Sequence, residues 1–475
     1  MSNCSYTRRE MLAAAGLGAA SIIASHSAGL ARQFSGKPDS VRPNIIFILA
    51  DDLGWKDVGY HGGSIKTPNI DKLAAEGTRL EQFYVQPVCS PTRSSLMTGR
   101  YPMRYGLQVG VVRPWANYGL PLEERTLAQA LKEAGYATAI CGKWHLGHMN
   151  GQYLPTARGF DHQYGHYNGA LDYFTHVRDG GLDWHRDDQP VREQGYTTDL
   201  LADESIRLIE RHDVTRPLFL YVPFNAVHSP FQAPQSRIDR YKHIQAKNKR
   251  IFAAMLTCMD DAIGRIVSSL DKRGIRQNTL IIFCSDNGGV GNVSDNGLLR
   301  GEKAQLYEGG IRVPAIAVWP GVLKAGAVVD EPLHIVDMYP TLIKLAGATL
   351  EQSLPLDGKD AWPTIAQGKP SPHDEILLNV TPANGAIRCG DWKLVCNGSI
   401  GANNASEEAG RNVFELFNLA DDPYEKNDLS DKQPQKLEEL KRRLEFCAGQ
   451  AATPNVSLNS KPDGFKVPRA WGHPD

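Results

Sequence analysis

The sequence predicts an α/β fold, in which a large, mostly parallel sheet flanked by helices precedes a smaller C-terminal α+β domain carrying an antiparallel sheet. Continuous apolar runs, which suit strands buried on both faces, alternate with helical patterns over residues 44–346. From residue 347 onward the apolar runs are shorter and alternate with polar residues, as is typical of antiparallel strands. The 475 residues, of which 41% are hydrophobic, suffice for a large core and more than one domain.

Proline and glycine mark the ends of the predicted helices in the first region. Pro68 suits the first turn of a helix, and Gly77, Gly135 and Gly274 stand where glycine commonly ends one. In chain order we predict a strand over residues 44–50, helices over 67–75 and 126–134, a strand over 136–141, a helix over 198–211, a strand over 217–222, a helix over 251–270 and a strand over 279–284. This alternation of strands and helices predicts a parallel sheet covered by helices.

The C-terminal region contains shorter candidate elements. Candidate strands lie over residues 375–380, 386–389, 392–396 and 413–419, and an amphipathic helix lies over 437–446. We therefore expect two domains, a larger one over residues 44–346 and an α+β domain over residues 347–475.

The first 31 residues have the pattern of an export signal. Arg8 and Arg9 precede a short, weakly apolar run, and residues 29–31 offer a small-x-small cleavage site. The pattern predicts a twin-arginine signal followed by a polar linker over residues 32–43, with an ordinary secretory signal as the alternative. Either signal would use export machinery and deliver the protein to the periplasm or the extracellular space. No later segment is long and apolar enough to form a stable membrane span.

Charge and cysteine content exclude two classes of protein. The 52 basic and 53 acidic residues give a net charge of -1, which speaks against a nucleic-acid-binding surface. The eight cysteines are too sparse for a disulfide-stapled scaffold. Cys389 and Cys396 flank a short segment and could pair in an oxidising compartment, whereas Cys141 and Cys284 end apolar runs and are expected to be buried thiols.

Polar residues follow several predicted strands at the point where each strand ends. Because ligands bind at the carboxyl ends of the strands in open α/β sheets, these groups are expected to converge. They are Asp51 and Asp52, Lys143 and His145, His228, and Asp286 and Asn287. The carboxylate and amide oxygens suit Ca²⁺, with Mg²⁺ as the lesser option, whereas no cluster has the Cys/His spacing of a soft-metal site.

The segment Cys89-Ser90-Pro91-Thr92-Arg93, which stands just before a short helix-like segment from Ser94 to Thr98, carries the most specific chemical signal. A residue at a helix N-terminus faces free backbone N–H groups, which suits an anionic substrate, and Pro91 fits the first helical turn. The Arg93 guanidinium can bind an oxyanion through a bidentate pair of hydrogen bonds. A buried structural cysteine before a capped helix would explain the pentapeptide alone equally well, so the remaining motifs decide.

Taken together, these motifs closely resemble those of the formylglycine-dependent sulfatases of the alkaline phosphatase superfamily. The resemblance covers roughly residues 44–429 and is most similar to the arylsulfatase B branch, the N-acetylgalactosamine-4-sulfatases. It is carried by Ala50-Asp51-Asp52-Leu53-Gly54, the run from Cys89 to Gly99, the run from Gly142 to Gly147, Ser285-Asp286-Asn287-Gly288-Gly289, Glu308-Gly309-Gly310 and, for the branch, residues 53–62, Lys143 to Gly147 and Asp172-Tyr173.

The resemblance implies a catalytic group and a metal site. Cys89 would be oxidised by a formylglycine-generating maturase, and one hydroxyl of the hydrated aldehyde would attack sulfur. One Ca²⁺ ion would be held by Asp51, Asp52, Asp286, Asn287 and the modified Cys89. Sulfate charge would be neutralised by Arg93, Lys143, His228 and Lys303. His228, together with Lys303, would protonate the leaving alkoxide, and His145 would remove the proton from the remaining hydroxyl.

The implied substrate is a sulfated oligosaccharide, with a 4-O-sulfated galactose or N-acetylgalactosamine unit as the expected target. Loop residues that could form the sugar subsite are Arg113, Trp115, Asp172, Tyr173 and His176. Two alternatives remain at this point. A phosphonate or phosphate ester hydrolase would keep the fold and the aldehyde, and a non-catalytic glycan-binding relative would keep Cys89 unmodified.

Overall fold

A computed structural model describes residues 42–400, 412–457 and 460–473. The predicted export signal and nearly all of the predicted linker lie outside these residues. Within the described part of the chain, no helix combines the length and the apolar character needed to cross a membrane.

A ten-stranded sheet forms the centre of the fold, and its middle strands are parallel. The strand Asn44–Ala50 pairs in parallel with Leu218–Pro223 on one side and with Thr279–Ser285 on the other. From edge to edge the strands are Ala327–Val329, Thr78–Leu80, Ala315–Val318, Thr279–Ser285, Asn44–Ala50, Leu218–Pro223, Ala137–Lys143, His162–His166, His185–Arg186 and Gln189–Pro190.

The α-helices of the described chain are Pro68–Glu76, Cys89–Thr98, Leu127–Glu133, Thr197–Arg211, Gln235–Ile238, Lys247–Arg273, Glu308–Ile311, Met338–Leu345, Trp362–Gln367 and Pro434–Ala448. Short 3-10 helices lie at Gly59–His61, Pro102–Arg104, Gly151–Tyr153, Pro155–Arg158, Asp239–Tyr241, Arg276–Asn278 and Ile335–Asp337. A two-stranded sheet consists of Val177–Arg178 and Gly181–Leu182. A three-stranded sheet consists, in order, of Arg312–Val313, Phe83–Tyr84 and Leu333–His334.

The central strands are buried on both faces, as their continuous apolar sequences predict. In Asn44–Ala50, Phe47 packs into the apolar cluster on one face of the sheet and Ile48 into the cluster on the other, because successive side chains of a strand alternate. Cys141 and Cys284 are fully buried in these clusters as free thiols, which confirms the expectation for both.

The predicted C-terminal antiparallel sheet is present. Its four strands, in order across the sheet, are Ile376–Leu378, Gly385–Cys389, Trp392–Cys396 and Phe414–Asn418. The helix Pro434–Ala448 packs on it through Leu440 and Leu444. Cys389 and Cys396 are free thiols at opposite ends of neighbouring strands, so they form no disulfide. The domain boundary at residue 346 stays a prediction.

Three details differ from the sequence-based expectations. The helix after the cysteine motif begins at Cys89 itself, not at Ser94. The long helix spans Lys247–Arg273 and exceeds the predicted range at both ends, where its charged residues are compatible with helix but carry no apolar signal. The short strands Thr78–Leu80 and Ala315–Val318 were not predicted, and the antiparallel pairing of Ala315–Val318 makes the sheet mixed on that side.

Candidate active site

The polar residues at the strand ends meet at one edge of the sheet. Asp51 directly follows the strand Asn44–Ala50, Lys143 ends Ala137–Lys143, and Asp286 follows Thr279–Ser285. These strands are close neighbours in a parallel arrangement, so their carboxyl ends lie side by side. The convergence expected from the sequence is therefore observed.

One side of this cluster is fully buried; we call Asp51, Arg93, Lys143 and Asp286 the inner flank. The Lys143 Nζ donates to Asp51 Oδ2 at 2.5 Å, and Arg93 Nη2 lies 3.5 Å from the same oxygen. Arg93 also donates from Nε and Nη2 to Asp286 Oδ2, at 3.0 and 2.8 Å. Burial and the neighbouring Asp286 raise the pKa of Asp51 to about 7, against the opposing influence of Lys143 and Arg93.

The other side opens toward solvent; we call Asp52, His228 and Lys303 the outer flank. Lys303 Nζ lies 2.6 Å from Asp52 Oδ1, and His228 Nε2 lies 3.7 Å from Asp52 Oδ2. Burial opposes ionisation of Asp52, but Lys303 and His228 hold its pKa below the ordinary value. Burial and the adjacent Lys303 lower the pKa of His228 to about 3, so its imidazole is neutral at neutral pH.

Cys89 lies between the two flanks at the first position of its helix. Its Sγ is 3.5 Å from Asp51 Oδ1 and 3.6 Å from Asn287 Oδ1. The side chain is buried, and burial together with Asp286 and Asp51 raises the pKa of the thiol. As encoded, the residue is a protonated thiol and a weak nucleophile, because the thiolate is the reactive form.

His145 lines the cleft together with Cys89 and has an uncommon backbone conformation, with φ at 59°. Its Nε2 is 3.0 Å from the carbonyl oxygen of Val112, and its Nδ1 is buried without a hydrogen-bond partner among the described residues. Burial, followed by the charges of Lys143 and Arg93, lowers the pKa of the ring, which is therefore neutral.

The residues at the strand ends fit a hard cation. One ligand atom from each of Asp51, Asp52, Cys89 and His228 lies within 4.8 Å of the others. Asp286 and Asn287 adjoin this group, since the Asp52 backbone N–H donates to Asp286 Oδ1 at 3.3 Å and Asn287 Nδ2 donates to Asp52 Oδ1 at 2.9 Å. Carboxylate and amide oxygens of this kind are the donors that Ca²⁺ prefers.

A cleft of about 470 Å³ leads to this cluster. Its walls are mostly apolar, with basic side chains near Cys89. The lining residues are Val88, Cys89, the loop 109–114, His145, Gly169, Ala170, Arg178, His228, Lys303, Ala304, Ile400, Val456 and Ser457. A mostly apolar cleft with a few convergent polar groups is the usual form of a small-molecule site.

Of the predicted sugar-binding residues, the structure places Arg113 in the cleft wall and the other four outside the lining. Tyr173 is buried, and its hydroxyl, which has one hydrogen to donate, lies 2.6 and 2.7 Å from the carbonyl oxygens of Asn225 and His228. It therefore supports the segment that carries His228.

Asp172 accepts hydrogen bonds from Gln232 and from neighbouring backbone N–H groups, and Trp115 is half-buried. The buried His176 ring stacks on Trp184 with centroids 4.6 Å apart. A substrate role for these four residues stays a prediction.

Several residues of the site were not singled out from the sequence. Ser90 and the Val112 carbonyl contact His145, and Arg178 lines the cleft. Val456 and Ser457 reach the cleft from the C-terminal segment. Only Ser90 had a local signal, because it stands inside the cysteine motif; the others depend on tertiary contacts.

Comparisons with known proteins agree with this arrangement. The family model described as Sulfatase matches residues 43–348. The chain is 40% identical to arylsulfatase J of Mus musculus over 460 residues, covering 87% of this chain and 77% of that protein. It is 34% identical to N-acetylgalactosamine-6-sulfatase of Mus musculus over 354 residues, covering 69% of this chain and 67% of that protein.

The fold is similar to that of a solved relative bound to an oligosaccharide. The crystal structure of Ps i-CgsB in complex with k-i-k-neocarrahexaose has a TM-score of 0.79 and 33% sequence identity, covering 87% of this chain and 94% of that chain. On the extent of these matches, the chain belongs to the sulfatase family and is a sulfuric ester hydrolase.

Proposed function

We propose that the protein removes O-sulfate from a sulfated carbohydrate, through a formylglycine made from Cys89 and with one bound Ca²⁺. The observation that carries the proposal is the position of Cys89 at a helix N-terminus, within 3.6 Å of both Asp51 and Asn287. A residue placed there can meet both an anionic substrate and a cation.

Two groups would supply chemistry that the encoded side chains lack. As a hydrate, formylglycine supplies a geminal diol, of which one hydroxyl attacks sulfur and the other holds the proton needed for later release. Asp51, Asp52, Asp286, Asn287 and residue 89 would hold Ca²⁺, which would supply positive charge for the sulfate oxygens and for deprotonation of the attacking hydroxyl.

Basic side chains in fixed positions would neutralise the negative charge of the sulfate group as it is transferred. Arg93 and Lys143 are held by the inner-flank carboxylates, so they need little reorganisation when substrate binds. Lys303 remains charged, because Asp52 and its acidic neighbours raise its pKa although burial opposes it. These three residues would act as a preorganised positive site for the equatorial sulfate oxygens.

Proton transfer would be divided between two histidines. The His228 ring is neutral in the substrate-free site, so it would take up a proton when the sulfate anion binds beside it and raises its pKa. With Lys303 on the outer flank, it would then protonate the departing sugar oxygen, which is a poor leaving group without a proton. His145 would accept the proton of the second hydroxyl at residue 89, so that the aldehyde re-forms and sulfate departs.

The substrate we propose is a 4-O-sulfated galactose or N-acetylgalactosamine unit of an oligosaccharide. The bound neocarrahexaose of Ps i-CgsB and the name of the mouse N-acetylgalactosamine-6-sulfatase support a galactose-type sugar. The position of the sulfate rests on the similarity of residues 53–62 to the arylsulfatase B branch. We further propose that the protein acts in the periplasm or outside the cell, after export and after oxidation by a maturase.

Peptide mass spectrometry of the purified protein tests the proposal. Residue 89 should be found as formylglycine, and the Cys89→Ala variant should lose turnover of sulfate esters while remaining folded. Native-rate turnover by that variant would remove the nucleophile assignment. A panel of defined sulfated mono- and oligosaccharides, with phosphate and phosphonate esters alongside, separates the proposed reaction from the ester-hydrolase alternative.

A further inference from the structure

We propose that Ser90 is a positioning residue that fixes His145 in one ring tautomer, with Nδ1 as the atom that accepts the proton at residue 89. The inference rests on the proposed function and deepens it. It concerns the residue next to the nucleophile and the cleft loop of residues 109–114.

The Ser90 hydroxyl connects the backbone of His145, the proposed base, to the cleft loop of residues 109–114. The Ser90 Oγ donates to the carbonyl oxygen of His145 at 2.9 Å and accepts the backbone N–H of Val112 at 3.0 Å. Ser90 is 1% exposed, so both partners would be left unsatisfied in a dry environment without it. The hydroxyl therefore fixes the position of Val112 relative to the backbone of His145.

The carbonyl of Val112 then decides which ring nitrogen carries the hydrogen. It lies 3.0 Å from His145 Nε2, and a carbonyl oxygen can only accept. The Nε2 must therefore be the N–H of the neutral ring, and Nδ1 must be the atom with a free lone pair. Nδ1 has no hydrogen-bond partner among the described residues, although His145 lines the cleft together with Cys89.

The surroundings of His145 allow it little freedom. Its φ of 59° lies in the left-handed region, which a non-glycine residue adopts only when other contacts hold it there. On one side of the ring is Gly169, where an added Cβ would lie 2.5 Å from both Cε1 and Nε2. The His145 ring therefore lies between Gly169, where any side chain would clash with it, and the Val112 carbonyl.

The step served by this geometry is the release of sulfate. The His145 Nδ1 lone pair takes the proton of the unreacted hydroxyl, the carbon–oxygen double bond of the aldehyde forms, and the carbon–oxygen bond to sulfate breaks with its electron pair leaving on sulfate. The imidazolium then returns the proton to water. Sulfate transfer to residue 89 precedes this step and does not use His145 Nδ1.

Steady-state kinetics of Ser90→Ala, with Ser90→Thr as the matched control that keeps the hydroxyl, test the proposal. We expect Ser90→Ala to lower kcat on the order of 10- to 100-fold, as loss of a partner that orients a working group does. KM should fall with kcat and kcat/KM should stay near the native value, because only the later step is slowed. Sulfated residue 89 should accumulate during turnover, and Ser90→Thr should show neither effect. The formylglycine content of each variant is measured first, so that rates refer to converted enzyme.

Equal losses in kcat and kcat/KM without accumulation of the sulfated form would overturn the assignment. If Ser90→Ala does not fold, Gly169→Ala perturbs the same ring from its other side and should give the same kinetic pattern.

A readout without turnover is the ¹⁵N NMR spectrum of histidine-labelled Cys89→Ala protein. The His145 signals should show protonated Nε2 and bare Nδ1, and the Ser90→Ala change should mix the tautomers. A protonated Nδ1 in the parent would contradict the tautomer assignment. An unmodified Cys89 in native protein would contradict the proposed function and, with it, the proton-transfer step, whereas the tautomer assignment would still be decided by the NMR spectrum.

Discussion

The two flanks of the site use the same kinds of residue in different surroundings. In the inner flank, the side chains of Asp51 and Lys143 are completely buried. In the outer flank, Asp52 is also buried, but its partners His228 and Lys303 keep 19% and 20% of their side chains exposed. Buried charges must be paired or they are costly, whereas partly exposed charges can be displaced by a ligand.

In the proposed function, this difference would separate two tasks. The inner flank would hold its charges in a fixed arrangement that receives an oxyanion without rearrangement. The outer flank borders the cleft, where a leaving group must be protonated and must depart, so its groups need access to solvent. We therefore expect substitutions in the inner flank to affect stability and turnover together, and those in the outer flank to affect turnover alone.

Replacing Arg93 by Met should produce the largest effect. The change leaves two buried carboxylates, Asp51 and Asp286, without their guanidinium partner, which costs about 3–5 kcal/mol of unfolding free energy. Turnover should also fall to background. The matched control is Arg265→Met, since the ion pairs of Arg265 with Asp199 and Asp203 are exposed. Denaturant unfolding measures both, and similar stability losses would show that burial of the inner flank does not make its ion pairs costly to break.

Replacing His228 by Asn should lower turnover and leave stability nearly unchanged. A general acid contributes roughly 10²–10⁴-fold, and the contribution should be largest for a sugar sulfate, whose leaving oxygen needs a proton. An activated aryl sulfate, whose leaving group departs as the anion, should lose much less. The measurement is kcat/KM for both substrates with one preparation. Equal losses on both esters would show that His228 does not act as the acid.

The sequence predicted the two flanks well because their signal is local. A strand end is marked by the apolar run that precedes it, so the amino-acid pattern alone was enough to place Asp51 and Asp286 at one edge of the sheet. The motif containing Cys89 added the proposed nucleophile, and its place at a helix N-terminus is confirmed, although the helix begins earlier than predicted.

The cleft wall could not be predicted in the same way. Val456 lies more than 350 residues from Cys89 along the chain and carries no periodic signal that would place it there. Tyr173 was placed in the predicted sugar subsite by residue type, whereas in the structure it lies outside the cleft lining with its hydroxyl against two backbone carbonyls. Its substrate role stays a prediction. Which side of a loop faces a cleft depends on tertiary packing, not on residue type.

Removing divalent metal should destabilise the protein, because a shared cation would join the two flanks. Asp51 of the inner flank and Asp52 of the outer flank each offer an oxygen to one group of ligand atoms that lie within 4.8 Å of one another. Asp286 of the inner flank adjoins this group, since its Oδ1 accepts the Asp52 backbone N–H at 3.3 Å. A ligand present at a hundred times its Kd stabilises the folded state by about 2.7 kcal/mol. Thermal unfolding after chelation should therefore show a lower Tm, with Ca²⁺ restoring it more fully than Mg²⁺. An unchanged Tm and unchanged turnover after verified metal removal would rule out the calcium site.

Substitution of Glu204, a carboxylate outside the site, should have the smallest effect on stability. It serves as a reference for substitutions in both flanks. Glu204 is 5% exposed; burial opposes its ionisation, but hydrogen bonds from Arg207, His162 and Arg186 lower its pKa below the ordinary value of 4.5. A pKa that is lower in the folded state gives stability that is present above pH 4.5 and is lost as the pH falls toward the folded pKa.

Glu204→Gln should therefore lower Tm at neutral pH by an amount that corresponds to about 1 kcal/mol, and the gap from native protein should close as the solution is acidified. The control is Glu210→Gln, an exposed position on the same helix, Thr197–Arg211. Because the partners of Glu204 favour its ionised form, its contribution should disappear smoothly with acid. The pH dependence of stability should have the opposite sign for Asp51, because burial and Asp286 raise its pKa. When no divalent metal is bound, protonation of Asp51 should therefore stabilise the folded state. A gap for Glu204→Gln that widened in acid would show that these hydrogen bonds do not favour the ionised carboxylate.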